Sequence, residues 1–497
     1  MTKDVQPQHA PSPRPLTEST AGDKDVPLCV DLDGTLVNTD YFWEGAAQLL
    51  FRHPAQFARI VCGFWRGRAW VKRQLTQCTN LPPDSLPWNA DILAWVSRQK
   101  AAGRKTILVT AADQSIADAV AAHLKLFDQA IGSDGVTNLK GRSKAALLVE
   151  KFGRAGFDYV GDSRADIAVW KAGRRAYLVR PSPALNAWAS KRDSATTLTG
   201  PRGSLRPLFR ALRPQHWVKN TLVFLPLFTA HVWNQADAWW KLAGLFLALC
   251  FGASAVYLLN DLADIQSDRR HKDKRRRPIA SGELPIADAF LAIPLCLLLA
   301  VSFCLAAGGE ALPLLLGYLA ATTAYSFSLK RVPILDILLL SGFYVFRIVA
   351  GAVVAPVQLS PWLIAFAMFL FLSLAAAKRY VELTSLSDGS RANVSRGYVR
   401  EDYAMIAAVG VNCGCLAVLV LGLYVNSDTF RTLYSHATVF WLLCPLLLYW
   451  LIRVWLLAGR RELRDDPVVF AITDRVTWIV AALGALVFYV AMTAHFR

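Results

Sequence analysis

Apolar and polar positions follow two different regimes along the chain. From Pro27 to about residue 180, short apolar runs alternate with stretches of helical period, the pattern of βα units around a parallel sheet. It predicts strands at 27–31, 105–110, 128–132, 157–161 and 176–180. After a Pro/Ser/Arg-rich stretch at 181–216, apolar segments that cross or nearly cross a bilayer recur to the C-terminus. Nine are expected, at about 218–234, 238–260, 286–307, 311–329, 333–355, 361–378, 403–425, 436–458 and 475–495. The first 25 residues mix Pro, Ser and charge without an apolar run. They are expected to be a disordered tail and not a signal peptide. The fold class is therefore multidomain: an α/β Rossmann-like domain over 26–182, a linker and interfacial segment over 183–216, and an all-α polytopic membrane domain over 217–497.

Composition sharpens this division. With 497 residues, 18% of them charged, and a mean hydropathy of +0.32, the composition argues against a single soluble globule and excludes fibrous or wholly disordered chains. The formal charge is +17, from 54 Lys and Arg against 37 Asp and Glu. Its distribution matters more than its size. The loops after spans two, four, six and eight carry RRHKDKRRRP, LKR, KRYVEL with RGYVRED, and GRRELRDD, whereas those after three and five carry no Lys or Arg. The positive-inside rule then places the even-numbered loops in the cytosol and the C-terminus outside, in a bacterial inner membrane. Basic runs on alternate loops make no continuous face, which argues against nucleic acid as a partner. Nine cysteines occur without a CxxC pair, and six of them fall in apolar stretches, as reduced, buried residues do. Nothing in the sequence specifies an oligomeric state.

Two predicted strands run into acidic motifs, Asp31-Leu-Asp33-Gly-Thr35 and Gly161-Asp162-Ser163-Arg164-Ala165-Asp166. Open parallel sheets bind ligands at the carboxyl ends of their strands, so these acids are expected to converge. Carboxylates that close repel one another unless a cation lies between them, and an oxygen-only set suits Mg2+. A lone DxD is weak evidence. In order, however, DLDGTLVNTD, KTILVTAAD ending near Thr110, Lys144 in GRSKAALLVEKFG, and GDSRAD match the four motifs of the haloacid dehalogenase (HAD) superfamily, which this region resembles. The resemblance implies a phosphatase with Asp31 as nucleophile and Asp33 as general acid and base. Thr110 and Lys144 would hold phosphoryl oxygens. Asp31, the Asp33 carbonyl and Asp162 would hold Mg2+, supported by Asp166. Residues 41–90 would form a small helical cap. There, Phe64, Trp65 and Trp70 interleave with Arg59, Arg66, Arg68, Lys72 and Arg73, as in an interfacial helix or in a cap helix packed on its own domain.

In the apolar half, Asn260-Asp261-Leu-Ala-Asp264-Ile-Gln-Ser-Asp268 continues the second span. On one continuous helix its three acids fall within a 60° arc, with Tyr257 on the same face. Such stacking is unfavourable without a counter-charge. A magnesium-bridged diphosphate would supply it, and a polar helix end balanced by Arg269, Arg270 and Lys274 is the competing reading. The fifth span holds Asp336 and Arg347, about 20° apart around the helix and about 16 Å apart along it. An Arg at that depth faces a polar cavity, with a phosphate or Asp336 as partner. Lys378, Arg379 and Glu382 close the sixth span, where a snorkelling anchor is the competing reading.

This half resembles the UbiA-type prenyltransferase superfamily through NDLADIQSD followed by KRRRPIASG. It is closer to the polyprenyl-phosphate phosphoribosyltransferase branch through Arg213-Pro-Gln-His-Trp-Val-Lys219-Asn220, the Asp336 to Arg347 helix and Lys378-Arg379-Tyr380-Val-Glu382. The second Asp-rich motif of aromatic prenyltransferases is absent from the loop after span six, which offers only Asp388. The resemblance implies transfer of 5-phosphoribose from phosphoribosyl pyrophosphate to a polyprenyl phosphate, in the synthesis of a lipid-linked arabinofuranose precursor. Asp261, Asp264 and Asp268 would bind the metal. Lys219, Asn220, Tyr257, Asn260, Lys274, Asp336, Arg347, Lys378, Arg379 and Glu382 would line the substrate sites. An aromatic prenyltransferase of quinone or related lipid synthesis fused to a phosphatase is the first alternative, and a lipid-binding or transport protein is the second.

Overall fold

The structure, a computed structural model, describes residues 24–200, 204–385, 397–428, 430, 436–463 and 467–493. Most of the expected N-terminal tail and the loop holding Asp388 lie outside the described residues. The chain forms two compact units that interleave in sequence. The first joins Met1–Ala211 with Leu258–Ala292, and the second joins Leu212–Tyr257 with Ile293–Arg497.

The first unit is built on a six-stranded parallel sheet of β1 (Leu28–Val30), β2 (Thr106–Asp113), β3 (Gln129–Ser133), β4 (Asp158–Gly161), β5 (Ala176–Leu178) and β6 (Ala195–Thr197). Its order is β3-β2-β1-β4-β5-β6. Leu28, Cys29, Val30, Ile107, Leu108 and Val109 are all fully buried, as continuous apolar runs covered on both faces should be. The sheet extends past the expected boundary at 182, because β6 pairs with β5. Its sequence, Ala-Thr-Thr, is too short and too polar to stand out as a strand. Strand order reverses between β1 and β4, so the two acidic motifs leave adjacent strands at the switch point.

Helix α1 (Tyr41–Arg52) opens the expected cap and is N-capped by Asp40, whose carboxylate accepts from Phe42 N at 2.8 Å. The aromatic-basic stretch that follows is not one helix. It forms Pro54–Cys62, a 3-10 turn at Phe64–Arg66 and Arg68–Cys78, with a glycine at each break. The turn holds Trp65, which is 79% exposed, with the Arg66 guanidinium 5.1 Å from its ring.

Among the described residues, six helices are long and apolar enough to cross a membrane: Ala236–Ala263 (α2), Ile286–Ala307, Leu335–Val354, Pro361–Thr384, Arg400–Val425 and Ala437–Gly459. Two shorter apolar helices, Ala311–Phe327 and Arg475–Ala491, fall near the fourth and ninth expected spans. The first expected span is different. Residues Pro214–Phe224 wind as a 3-10 segment and lead into the short helix Leu225–Thr229. Pro226 cannot donate a backbone hydrogen bond and crowds the preceding turn, which disfavours a continuous α-helix there.

Candidate functional site

Asp31 leaves β1 directly. Its Oδ1 accepts from Leu32 N at 2.9 Å and lies 2.9 Å from Lys144 Nζ. Lys144 is itself buried and donates to Tyr159 Oη at 2.7 Å; that hydroxyl donates to Asp166 Oδ1 at 3.2 Å. Burial alone would lower the Lys144 pKa, but Asp31 and Asp166 outweigh it and hold the ammonium above its ordinary value. Asp33 accepts from Tyr41 N at 2.9 Å. Burial, with the charge of Asp40 added, pushes its carboxyl up to about 8, so it carries a proton at neutral pH. Thr110 is fully buried, and its Oγ1 accepts from Ala112 N at 3.0 Å. The next residue, Ala111, lines the cavity beside Asp31, Asp33, Lys144 and Asp162.

Carboxylate oxygens of Asp31, Asp162 and Asp166 lie within 4.8 Å of one another. Asp166 is fixed by Ser163, which donates to its Oδ2 from N at 3.0 Å and from Oγ at 2.8 Å. A Cβ at position 34 would collide with the Asp162 carboxylate, and Gly34 adopts φ +73°, so only glycine lets the two acidic motifs approach. This hard, closely spaced oxygen set fits Mg2+. Lys72 was not anticipated as a site residue. Its ammonium reaches Ala111 O at 2.8 Å and Asn138 Oδ1 at 3.3 Å on the rim of the same cavity. In the sequence its place among aromatic residues marks it only as a cation of an interfacial or packed cap helix.

The second acidic motif is not carried on one continuous helix. Helix α2 ends at Ala263, Asp264 takes φ −98° and ψ 6°, and α3 (Ile265–Arg270) begins beyond it. Asp261 and Asp268 nevertheless converge. Both are buried, and Arg277 Nη1 lies 3.1 Å from Asp261 Oδ1 and 2.7 Å from Asp268 Oδ2. Arg277 thus pairs directly with this motif, while Lys274 is exposed in the 3-10 turn Lys274–Arg276. Arg277 balances the two carboxylates, as in the competing reading of a polar helix end neutralised by arginine, and among the described residues the acids close enough to hold a metal ion are Asp31, Asp162 and Asp166. Asn260 contributes through its backbone, its carbonyl accepting from Asp264 N at 2.9 Å.

In the second unit, Arg347 lies at the centre of a polar cluster. Its Nε donates to Asn220 Oδ1 at 2.7 Å, its Nη2 to Tyr318 Oη at 2.9 Å, and its Nη1 to the Phe343 carbonyl. Of the two partners the sequence offers Arg347, a phosphate or Asp336, Asp336 is engaged elsewhere. Asp336 instead meets Arg379 Nη2 at 2.5 Å and accepts from Tyr325 Oη at 2.6 Å, while Arg379 also pairs with Glu382. Arg379 is 1% exposed and is therefore no snorkelling anchor, whereas the adjacent Lys378 is half-buried. Lys219 Nζ lies 5.6 Å from the Tyr344 ring, and Tyr257 packs between His216, at 5.6 Å, and the Arg213 guanidinium, at 5.0 Å. The aromatic partners Tyr318, Tyr325 and Tyr344 went unforeseen because each reads as an ordinary apolar-span residue.

The UbiA prenyltransferase family matches residues 222–480, more than half of the chain. The chain belongs to that family. A protein of Sinorhizobium fredii, named uncharacterized protein y4nM, is 36% identical over 474 residues, 95% of this chain and 92% of that one. The decaprenyl-phosphate phosphoribosyltransferase of Mycolicibacterium smegmatis is 33% identical over 246 residues, 46% of this chain and 75% of that protein. A solved HAD family hydrolase from Salmonella enterica serovar Typhi aligns at 15% identity over 32% of this chain and 64% of that one, with a TM-score of 0.26. This member of the UbiA family therefore joins a helical membrane domain to an N-terminal parallel-sheet unit with a clustered carboxylate site.

Proposed function

We propose that the chain is a membrane enzyme that transfers 5-phosphoribose from phosphoribosyl pyrophosphate to a polyprenyl phosphate, releasing pyrophosphate, and that its N-terminal unit then removes the 5-phosphate. The observation that supports the first step is the convergence of buried Asp261 and Asp268 beside Arg277, in a chain that over 46% of its length is 33% identical to a decaprenyl-phosphate phosphoribosyltransferase. With Asp264, these acids would hold Mg2+, which when bound neutralises charge on a diphosphate leaving group. The lipid phosphate oxygen attacks the anomeric carbon, and no protein nucleophile is required. Lys219, Lys378 and Lys274 are the cations assigned to the anionic substrates. Arg347 and Arg379 order the polar groups around them, Asn220, Asp336 and Glu382. Tyr257 and Asn260 flank the acidic motif.

In the N-terminal unit, Asp31 attacks phosphorus while Lys144 steadies the carboxylate and the phosphoryl oxygens. Protonated Asp33 donates to the leaving alcohol and afterwards takes a proton from water. Asp31, Asp162 and the Asp33 carbonyl would hold Mg2+, which when bound offsets the negative charge of the phosphate. Both sites are assigned to the cytosolic side of the bacterial inner membrane, within reach of soluble phosphoribosyl pyrophosphate.

Purified protein in lipid nanodiscs, given labelled phosphoribosyl pyrophosphate, polyprenyl phosphate and Mg2+, should yield a labelled lipid identified by its mass. A prenylated aromatic from a prenyl diphosphate and an aromatic acceptor, with no labelled lipid, would replace this reading with that of an aromatic prenyltransferase.

A further inference from the structure

The cavity that holds Asp31, Asp33, Lys144 and Asp162 has a volume of about 280 Å³, and one side of it is formed by Pro285, Ile286, Ala287 and Asp288. These residues follow the second acidic motif in sequence yet belong to the same compact unit as the sheet. Three contacts hold the segment there. Arg269, one residue beyond Asp268, places Nη2 2.5 Å from Glu44 Oε1 and Nη1 3.2 Å from Glu44 Oε2, with side chains 7% and 2% exposed. The same guanidinium donates from Nε to Ala280 O at 2.9 Å, and Thr39 Oγ1 donates to Glu44 Oε1 at 2.7 Å. Gly282, at φ +74°, sits so close to Asn38 that a Cβ would run into the Asn38 carbonyl. The rings of Trp43 and Phe290 lie 5.7 Å apart.

A bidentate pair this deeply buried fixes position, because its geometry tolerates little slippage. Glu44 stands on α1 and Thr39 in the loop that descends from Asp31, so the wall is tied to the loop that bears the nucleophile. Asp288 is exposed at this wall and offers carboxylate oxygens, which accept from hydroxyl groups and repel anions.

We propose that Pro285–Asp288 is a specificity-determining wall of the Asp31 site, held by Arg269 and Glu44, and that Asp288 selects a phosphomonoester whose leaving group is a hydroxyl-bearing sugar. The proposal rests on reading that site as a phosphatase. Free ribose 5-phosphate and a lipid-linked phosphoribosyl group present the same chemistry to this wall. Arg269 acts as a positioning residue.

The test uses the full chain in nanodiscs, with ribose 5-phosphate and phenyl phosphate as paired substrates and a synthetic phosphoribosyl lipid as a third. Wild type should favour the sugar phosphate in kcat/KM. Asp288→Ala should reduce that preference about tenfold, mainly through KM for the sugar substrates. Gly282→Ala, which displaces the wall without removing a charge, should reduce it in the same direction. A lower KM for the lipid than for free ribose 5-phosphate assigns the lipid as the source, and the reverse assigns the soluble sugar phosphate; selectivity through the wall holds in both. Equal effects on sugar and phenyl substrates, or none in either variant, overturn the wall. If wild type hydrolyses no phosphomonoester, the phosphatase reading fails first and the wall with it.

Discussion

Arg379 and Asp336 form a buried ion pair in the second unit, 2.5 Å apart, with the Arg379 and Asp336 side chains 2% and 0% exposed. Charges so fully removed from water are expensive to separate, because whichever remains must stay buried without compensation. Asp336→Asn is therefore expected to lower stability by about 3–5 kcal/mol, and the Asp336→Leu/Arg379→Met double variant to recover most of that loss. Thermal unfolding in detergent, followed by intrinsic fluorescence, checks the pair. A single variant as stable as wild type would remove the pair from the stability of the fold.

Arg347 distributes its guanidinium over Asn220, Tyr318 and the Phe343 carbonyl, which assigns it the role of holding three elements in one arrangement. A lysine has the charge but not the planar fork. Arg347→Lys should lose two of the three contacts, about 3 kcal/mol at roughly 1.5 kcal/mol for each hydrogen bond to a charged group. Asn220→Ala should cost part of the same energy, so the double variant should fall short of the sum. Strict additivity would show that the two residues act independently.

Most of the fold was legible because its signals are local. Fully buried strands read as unbroken apolar runs, and Asp31 and Asp162 announced themselves by standing at strand ends. What escaped depends on partners distant in sequence. Asp336 and Arg347 share a helix and a phase, yet Arg379, from the next long helix, takes the aspartate. Helical periodicity could not anticipate the break at Asp264, since nothing in NDLADIQSD is a strong helix breaker. Arg277 was one of several arginines in a basic loop, and only the folded turn selects it for Asp261 and Asp268. Glu44 and Arg269 lie 225 residues apart.

The orientation proposed from loop charge is open to a direct check. In a variant whose exposed Cys62, Cys78 and Cys415 are replaced by serine, a cysteine at Ser390 should resist a membrane-impermeant thiol reagent in intact cells and react after permeabilisation. A cysteine at Ser427 should react in both. The reverse pattern would invert the topology and separate the acidic motif from its proposed cytosolic substrate.

The two proposed activities sharing one chain give the most decisive outcome. A phosphatase tethered to the enzyme that makes its substrate works at a high local concentration, so even a slow Asp31 site can act before the lipid diffuses away. Asp31→Asn keeps the shape of the side chain, and the buried Lys144 ammonium keeps Tyr159 and the charge of Asp166 as partners, so the sheet should stay folded, at some cost in stability, while the nucleophile is removed. Transfer should continue at the wild-type rate, because Asp261, Asp264 and Asp268 are untouched. The lipid product should then shift in mass from the ribosyl form to the phosphoribosyl form, accumulating one phosphate per molecule. Chelating Mg2+ should instead stop both products, since each proposed site depends on it. If Asp31→Asn and wild type yield the same lipid mass in the same amount, the N-terminal unit acts on a substrate that the membrane domain does not make.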